Sequence, residues 1–193
     1  MAQRGGLVLA SGSRYRKALL ERLGLPFEAL SPGVDETPLG AEAPADTALR
    51  LSLLKARALA HRGDLIIGAD QVASCEGRRY DKPGTHDSAV RQLRELSGKT
   101  VEFHTAVTLL DSRKKTHESR LVPCRVVFRA LDERRIQAYL EREKPYDCSA
   151  SARAEGLGIA LIERIETDDP TSLIGLPLIA LTAMLERAGM PVL

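Results

Sequence analysis

The stretch Leu65-Ile66-Ile67-Gly68-Ala69 is wholly apolar and is broken at once by Asp70-Gln71. So short a run of aliphatic residues reads as a strand buried on both faces, of the kind found in sheets covered by helices. That reading sets Asp70 at the carboxyl end of the strand, the side on which α/β sheets bind ligands. Leu7-Val8-Leu9-Ala10 is a second such run. It breaks into Ser11-Gly12-Ser13, after which Ala18, Leu19, Leu20 and Leu23 recur at helical spacing until Gly24. This is strand, loop and helix, with Ser13 as the helix N-cap.

The same alternation continues along the chain. Phe27 to Leu30 reads as a strand, and Ser31 to Ala45, with three prolines and two glycines, as the longest loop. From Asp46 a helix presents Leu49, Leu53, Ala56 and Leu59 on one face, leaving Arg50, Lys55, Arg57 and Arg62 to solvent. Gly77-Arg78-Arg79 is a turn, and Asp87 to Leu96 a helix with Val90, Leu93 and Leu96 inward. Thr100 to Leu110 and Leu121 to Arg129 form a long hairpin separated by a polar segment. A helix capped by Asp132 runs to Glu143, and another from about Pro177 to Arg187. Interleaved helices and strands without a repeat or linker predict one α/β domain spanning residues 1–193.

Composition narrows the function classes. The 28 basic and 26 acidic residues nearly cancel to a net charge of +2, and aromatic residues make up only 4%. A nucleic-acid-binding module is disfavoured on both counts. The N-terminus offers only Leu7 to Ala10 as an apolar core, too short for a signal peptide, and no run approaches a membrane span. Cys75, Cys124 and Cys148 are widely spaced and form neither a disulfide framework nor a zinc knuckle. The expectation is a cytoplasmic protein without membrane or nucleic-acid partners. No heptad or apolar stripe settles whether it forms a homodimer.

Several residue groups carry chemistry. Ser11-Gly12-Ser13 at a helix start offers backbone N–H groups to an anion, with Arg16 and Lys17 one turn away. The pattern lacks the Gly-Lys-Ser/Thr ending of a P-loop and the spaced glycines of a dinucleotide loop. A capped helix with exposed basic residues is the competing reading. Asp70 at a strand end can hold a metal, take a proton from water, or cap the next turn. Asp35 and Glu36 are two acids in a loop, either solvated or hard oxygen donors for magnesium or manganese. Lys55 and Lys82 are single lysines of the kind usually found at a surface, Lys82 being fixed in the tight Asp81-Lys82-Pro83-Gly84 loop. The four histidines show no ligand spacing, so hydrolysis would rest on carboxylates.

Four segments occur in order: Leu9-Ala10-Ser11-Gly12-Ser13-Arg14-Tyr15-Arg16-Lys17, Val34-Asp35-Glu36, Gly68-Ala69-Asp70-Gln71 and Asp81-Lys82-Pro83. Together with Leu173 to Pro177 they resemble the Maf family of nucleoside triphosphate pyrophosphatases over essentially the whole chain. The resemblance implies a long curved mixed sheet with two lobes around a nucleotide cleft, a fold like that of inosine triphosphatases. It also implies a divalent metal, magnesium or manganese, and cleavage between the α and β phosphates of a nucleoside triphosphate. On this carry-over Asp70 is the proton acceptor, and Ser11, Ser13, Arg16, Lys55 and Lys82 line the phosphates. Glu36 and Asp70 serve the metal.

The segment Ser151 to Ala160 is similar to the subgroup acting on 7-methyl-GTP, whose positions for base choice fall on Tyr15, Gln71 and Glu155. An aromatic face at Tyr15 suits a cationic 7-methylguanine, and Glu155 can accept from guanine N1–H and the exocyclic amine. The alternatives are a dTTP- or UTP-type Maf pyrophosphatase and a non-catalytic nucleotide-binding regulator of cell division. One departure stands out: Arg14 replaces the family's usual proline, adding a positive charge near the expected phosphates.

Overall fold

The computed structural model describes residues 6–193; of the N-terminal stretch weighed as a signal peptide, residues 1–5 lie outside them. Among the described residues, seven strands form one sheet with the order β2-β1-β3-β5-β6-β7 and β4 paired to β3. These are β1 (Leu7–Ala10), β2 (Phe27–Leu30), β3 (Leu65–Cys75), β4 (Arg78–Arg79), β5 (Thr100–Asp111), β6 (Thr116–Phe128) and β7 (Ile162–Glu166). Five α-helices accompany them: α1 (Arg14–Glu21), α2 (Pro44–Ala58), α3 (His86–Leu96), α4 (Glu133–Glu143) and α5 (Leu178–Arg187). The sheet is mixed: β1 runs parallel to both β2 and β3, whereas β3–β4 and β6–β7 are antiparallel. The predicted α/β class is the observed one. No helix among the described residues is long and apolar enough to cross a membrane.

Packing divides the chain into two compact units. The first takes in the residues up to Asp70, Thr105–Val122 and Asp169–Leu193, and the second Gln71–His104 and Pro123–Asp168. In the first unit, period-two alternation sorts the strands between two cores. Leu7 and Leu9 of β1 and Leu65, Ile67 and Ala69 of β3 pack with Leu19 and Leu20 of α1 and Leu181, Met184 and Leu185 of α5. Val8, Ala10 and Ile66 point the other way, against Ala56 of α2. In the second unit α3 buries Ala89, Val90, Leu93 and Leu96, and α4 buries Ile136, Tyr139 and Leu140.

Two expectations about this framework are corrected. The strand β3 does not stop at Asp70 but continues through the buried Val72, Ala73, Ser74 and Cys75. It ends at a tight turn where Glu76 and Gly77 take positive φ angles of 50° and 79°. A carboxylate inside a buried strand is tolerable because it is paired. The inward face of α2 is also not the leucine stripe: its buried residues are Thr47, Ala48, Leu51, Ser52, Lys55 and Ala56. That face is small and polar because the helix lies almost against the backbone of β3. A Cβ on Gly68 would overlap the carbonyl oxygen of Ser52 and stand 2.8 Å from the amide nitrogen of Ala56.

Candidate active site

Ile66, Gly68 and Asp70 alternate onto the face of β3 that meets α2, and the missing side chain at Gly68 lets the helix close in. Lys55 of α2, only 4% exposed, thereby reaches Asp70, which is 5% exposed. The Lys55 Nζ donates to Asp70 Oδ1 at 2.7 Å and lies 2.8 Å from Glu36 Oε2. Of the two readings open for Lys55, a surface lysine and a site residue, this burial removes the first. It also settles Glu36, whose loop position alone left it free to be merely solvated, beside the Lys55–Asp70 pair. The neighbouring Asp35 does different work, accepting from the backbone N–H and the hydroxyl of Thr37.

The turn after β1 contributes the second part of the cluster. Ser13 is the N-cap of α1, as expected, accepting from the Arg16 N–H at 3.4 Å, and its own N–H donates to Ser11 Oγ at 3.2 Å. The Arg16 guanidinium donates to Ser11 Oγ and, through Nε, to the carbonyl of Gly175 at 2.8 Å. Burial lowers the Arg16 pKa from its ordinary value, and the carboxylates of Asp70 and Glu36 oppose that shift. One arginine, one lysine and two carboxylates thus share a neighbourhood in the first unit.

Sequence reasoning missed three contributors. Arg50 feels the charge of Asp70 and takes both oxygens of Glu42 in a fork; its signal was an acid at the loop's end and an arginine two turns into α2. The Gly175 carbonyl has no side-chain signature. Ser52 extends a buried hydroxyl chain through Thr108 to Ser119, at 2.8 Å and 2.7 Å.

Tyr15, on α1, has the Arg14 guanidinium 4.8 Å above its ring, with an Arg14 N–H donating to its hydroxyl. The Arg14 guanidinium, expected to add charge near the phosphates, thus meets the ring and hydroxyl of Tyr15. Gln71, the next residue of β3, belongs to the second unit, as do Lys82 and Glu155. Lys82 is exposed in the loop before α3, and that loop is tied by the Gly84 N–H to the Tyr146 carbonyl. Glu155 accepts from Arg153 Nε at 3.2 Å, while Arg153 Nη1 donates to Glu143 at 2.6 Å.

Among the described residues no three His, Cys, Asp or Glu side chains group as a ready metal centre. Two carboxylates meeting at Lys55 do fit a magnesium-type ion, which takes one or two carboxylates and completes its shell with water and substrate phosphates.

The chain is 56% identical over 189 residues to a 7-methyl-GTP pyrophosphatase of Thiobacillus denitrificans (strain ATCC 25259 / T1), covering 97% of this chain and 94% of that protein. It is 54% identical over 190 residues to a 7-methyl-GTP pyrophosphatase of Burkholderia orbicola (strain AU 1054), covering 96% and 90%. A solved HAM1 protein from Coxiella burnetii is similar with a TM-score of 0.44 and 15% identity, over 80% of this chain and 97% of that one. Residues 6–188 match the family described as Maf-like protein, and the chain belongs to the Maf family.

Proposed function

We propose that this chain is a nucleoside triphosphate pyrophosphatase that hydrolyses 7-methyl-GTP to the monophosphate and pyrophosphate. The observation that carries the reading is the buried Lys55, held between Asp70 and Glu36 with Arg16 beside them. Such a cluster suits a polyanion: Arg16 and Lys55 offset charge on the phosphates, and the carboxylates supply a base and donors for a cation. The names carried by the relatives in Thiobacillus and Burkholderia support the choice of nucleotide.

In this reading Asp70 orients a water and accepts its proton as the water oxygen bonds to the α phosphorus. The bond from that phosphorus to the bridging oxygen breaks, and the leaving pyrophosphate keeps the electron pair. A magnesium or manganese ion, held by Glu36 and Asp70, would add positive charge on the phosphate oxygens. Ser11, Ser13 and Lys82 complete the phosphate contacts. Tyr15, Gln71 and Glu155 address the base, with Glu155 accepting from guanine and Tyr15 offering its ring. Three free cysteines without a disulfide accord with a reducing compartment, and we place the activity in the cytoplasm.

The test is pyrophosphate release from 7-methyl-GTP, GTP, dTTP, UTP and CTP with magnesium and with manganese. The methylated purine should turn over fastest. A preference for dTTP or UTP would transfer the chain to the other Maf specificity, and binding without pyrophosphate release would make it a nucleotide-binding regulator.

A further inference from the structure

The carboxylate of Glu36 has an unusual setting for a group that must be accurately placed. It sits on an irregular loop before α2, its side chain is 57% exposed, and Lys55 is the partner that meets it. Ordering a long exposed side chain on a loop costs conformational entropy, and such loops open at low free energy. Something else must hold the loop still.

Arg50 does so with one guanidinium. Its Nε and Nη2 donate to the two carboxylate oxygens of Glu42 at 2.7 Å and 2.8 Å, and Nη2 also donates to the Thr37 carbonyl at 3.3 Å. Glu42 accepts in addition from the Thr47 hydroxyl at 3.0 Å and the Leu39 N–H at 3.4 Å. Thr37 in turn is pinned to Asp35 by two hydrogen bonds. The loop is tied on both sides of Glu36, and the ties lead to α2, the helix that carries Lys55.

We infer that Arg50 is a positioning residue for the phosphate site: its fork onto Glu42 and Thr37 holds the 35–42 loop so that Glu36 reaches the Lys55–Asp70 pair. The inference rests on the reading of Glu36 and Asp70 as the site that meets the triphosphate. A planar fork does this where a lysine cannot, since an ammonium lacks the paired, fixed donors that grip a carboxylate and a carbonyl together.

The test compares Arg50→Lys, which keeps the charge near Asp70 but not the fork, with the wild type, Glu36→Gln and the double variant, all as full chains. Hydrogen exchange without nucleotide should rise about ten-fold or more across residues 35–42 in Arg50→Lys, with α2 unchanged. The kcat/KM for 7-methyl-GTP should fall about ten-fold in Arg50→Lys, and the further loss should shrink to under about two-fold on top of Glu36→Gln. Unchanged exchange in the loop overturns the inference, and so does a loss equally large in both backgrounds. If the wild type turns over no triphosphate, the functional reading fails, while the exchange measurement still decides whether the fork holds the loop.

Discussion

The backbone of α2 at Ser52 and the backbone of β3 at Gly68 lie so close that no side chain fits between them. Lys55 follows Ser52 by one helical turn and Asp70 follows Gly68 by one strand repeat, so this approach sets how near the lysine comes to the carboxylate. Gly68→Ala should push helix from strand. Overpacking of this kind costs about 1–3 kcal/mol, more where backbone meets backbone. The expected outcome is a lowered Tm, with kcat reduced even at temperatures where circular dichroism shows a folded chain. Wild-type kinetics in Gly68→Ala would show that the approach does not control the pair.

Asp70→Asn should abolish turnover and leave the fold standing, because Lys55 keeps Glu36 as a partner at 2.8 Å. Lys55→Met is a harsher change: it brings two carboxylates together without their cation, and breaking a buried pair costs about 3–5 kcal/mol. Urea melts of the two variants should therefore separate, with Lys55→Met the less stable. Nucleotide binding measured by calorimetry should survive in Asp70→Asn.

Arg14 occupies the ring of Tyr15 that the proposed base would use. A cation over an aromatic face is worth about 0.5–2 kcal/mol, so a guanidinium and a 7-methylguanine compete for similar energy. Removing it in Arg14→Ala should lower KM for 7-methyl-GTP more than KM for GTP. Equal changes for both nucleotides would leave the arginine without a part in base choice.

Acid stability offers an independent check on two forks. Arginine hydrogen bonds hold Glu42, paired with Arg50, and Glu133, paired with Arg94, at a pKa of about 2, below an ordinary 4.5. A depressed pKa in the folded state means stability that is fully present above about pH 4.5 and is lost as pH falls toward 2. Glu42→Gln and Glu133→Gln should each flatten the dependence of Tm on pH within that window and leave its slope near neutrality unchanged.

Period and punctuation revealed most of the architecture. The apolar runs at Leu7–Ala10 and Leu65–Ala69, the caps at Ser13 and Asp132, and the inward face of α3 are all where spacing puts them. The α2 face was not legible, because a helix pressed against a strand at a glycine buries small and polar residues that hydropathy assigns to solvent. For the same reason Lys55 looked like a surface residue: its burial depends on Asp70 and Glu36, distant in sequence. Asp70 looked like a strand end because a charge interrupts an apolar run, yet its cation lies on the neighbouring helix. Arg50 and the Gly175 carbonyl act through geometry that no local pattern encodes.

The bond from Arg16 to the Gly175 carbonyl joins residues 159 positions apart. Its consequence concerns synthesis. While a nascent chain lacks residues 169–177, Arg16 has no anchor there, however well β1 and α1 have already formed. Long-range closure of this sort is slow relative to local structure. Fragments ending before Asp169 should therefore lack both the anchor of Arg16 and the α5 side chains against which β1 and α1 pack, and competence arrives only when both remote stretches of the first unit have been translated.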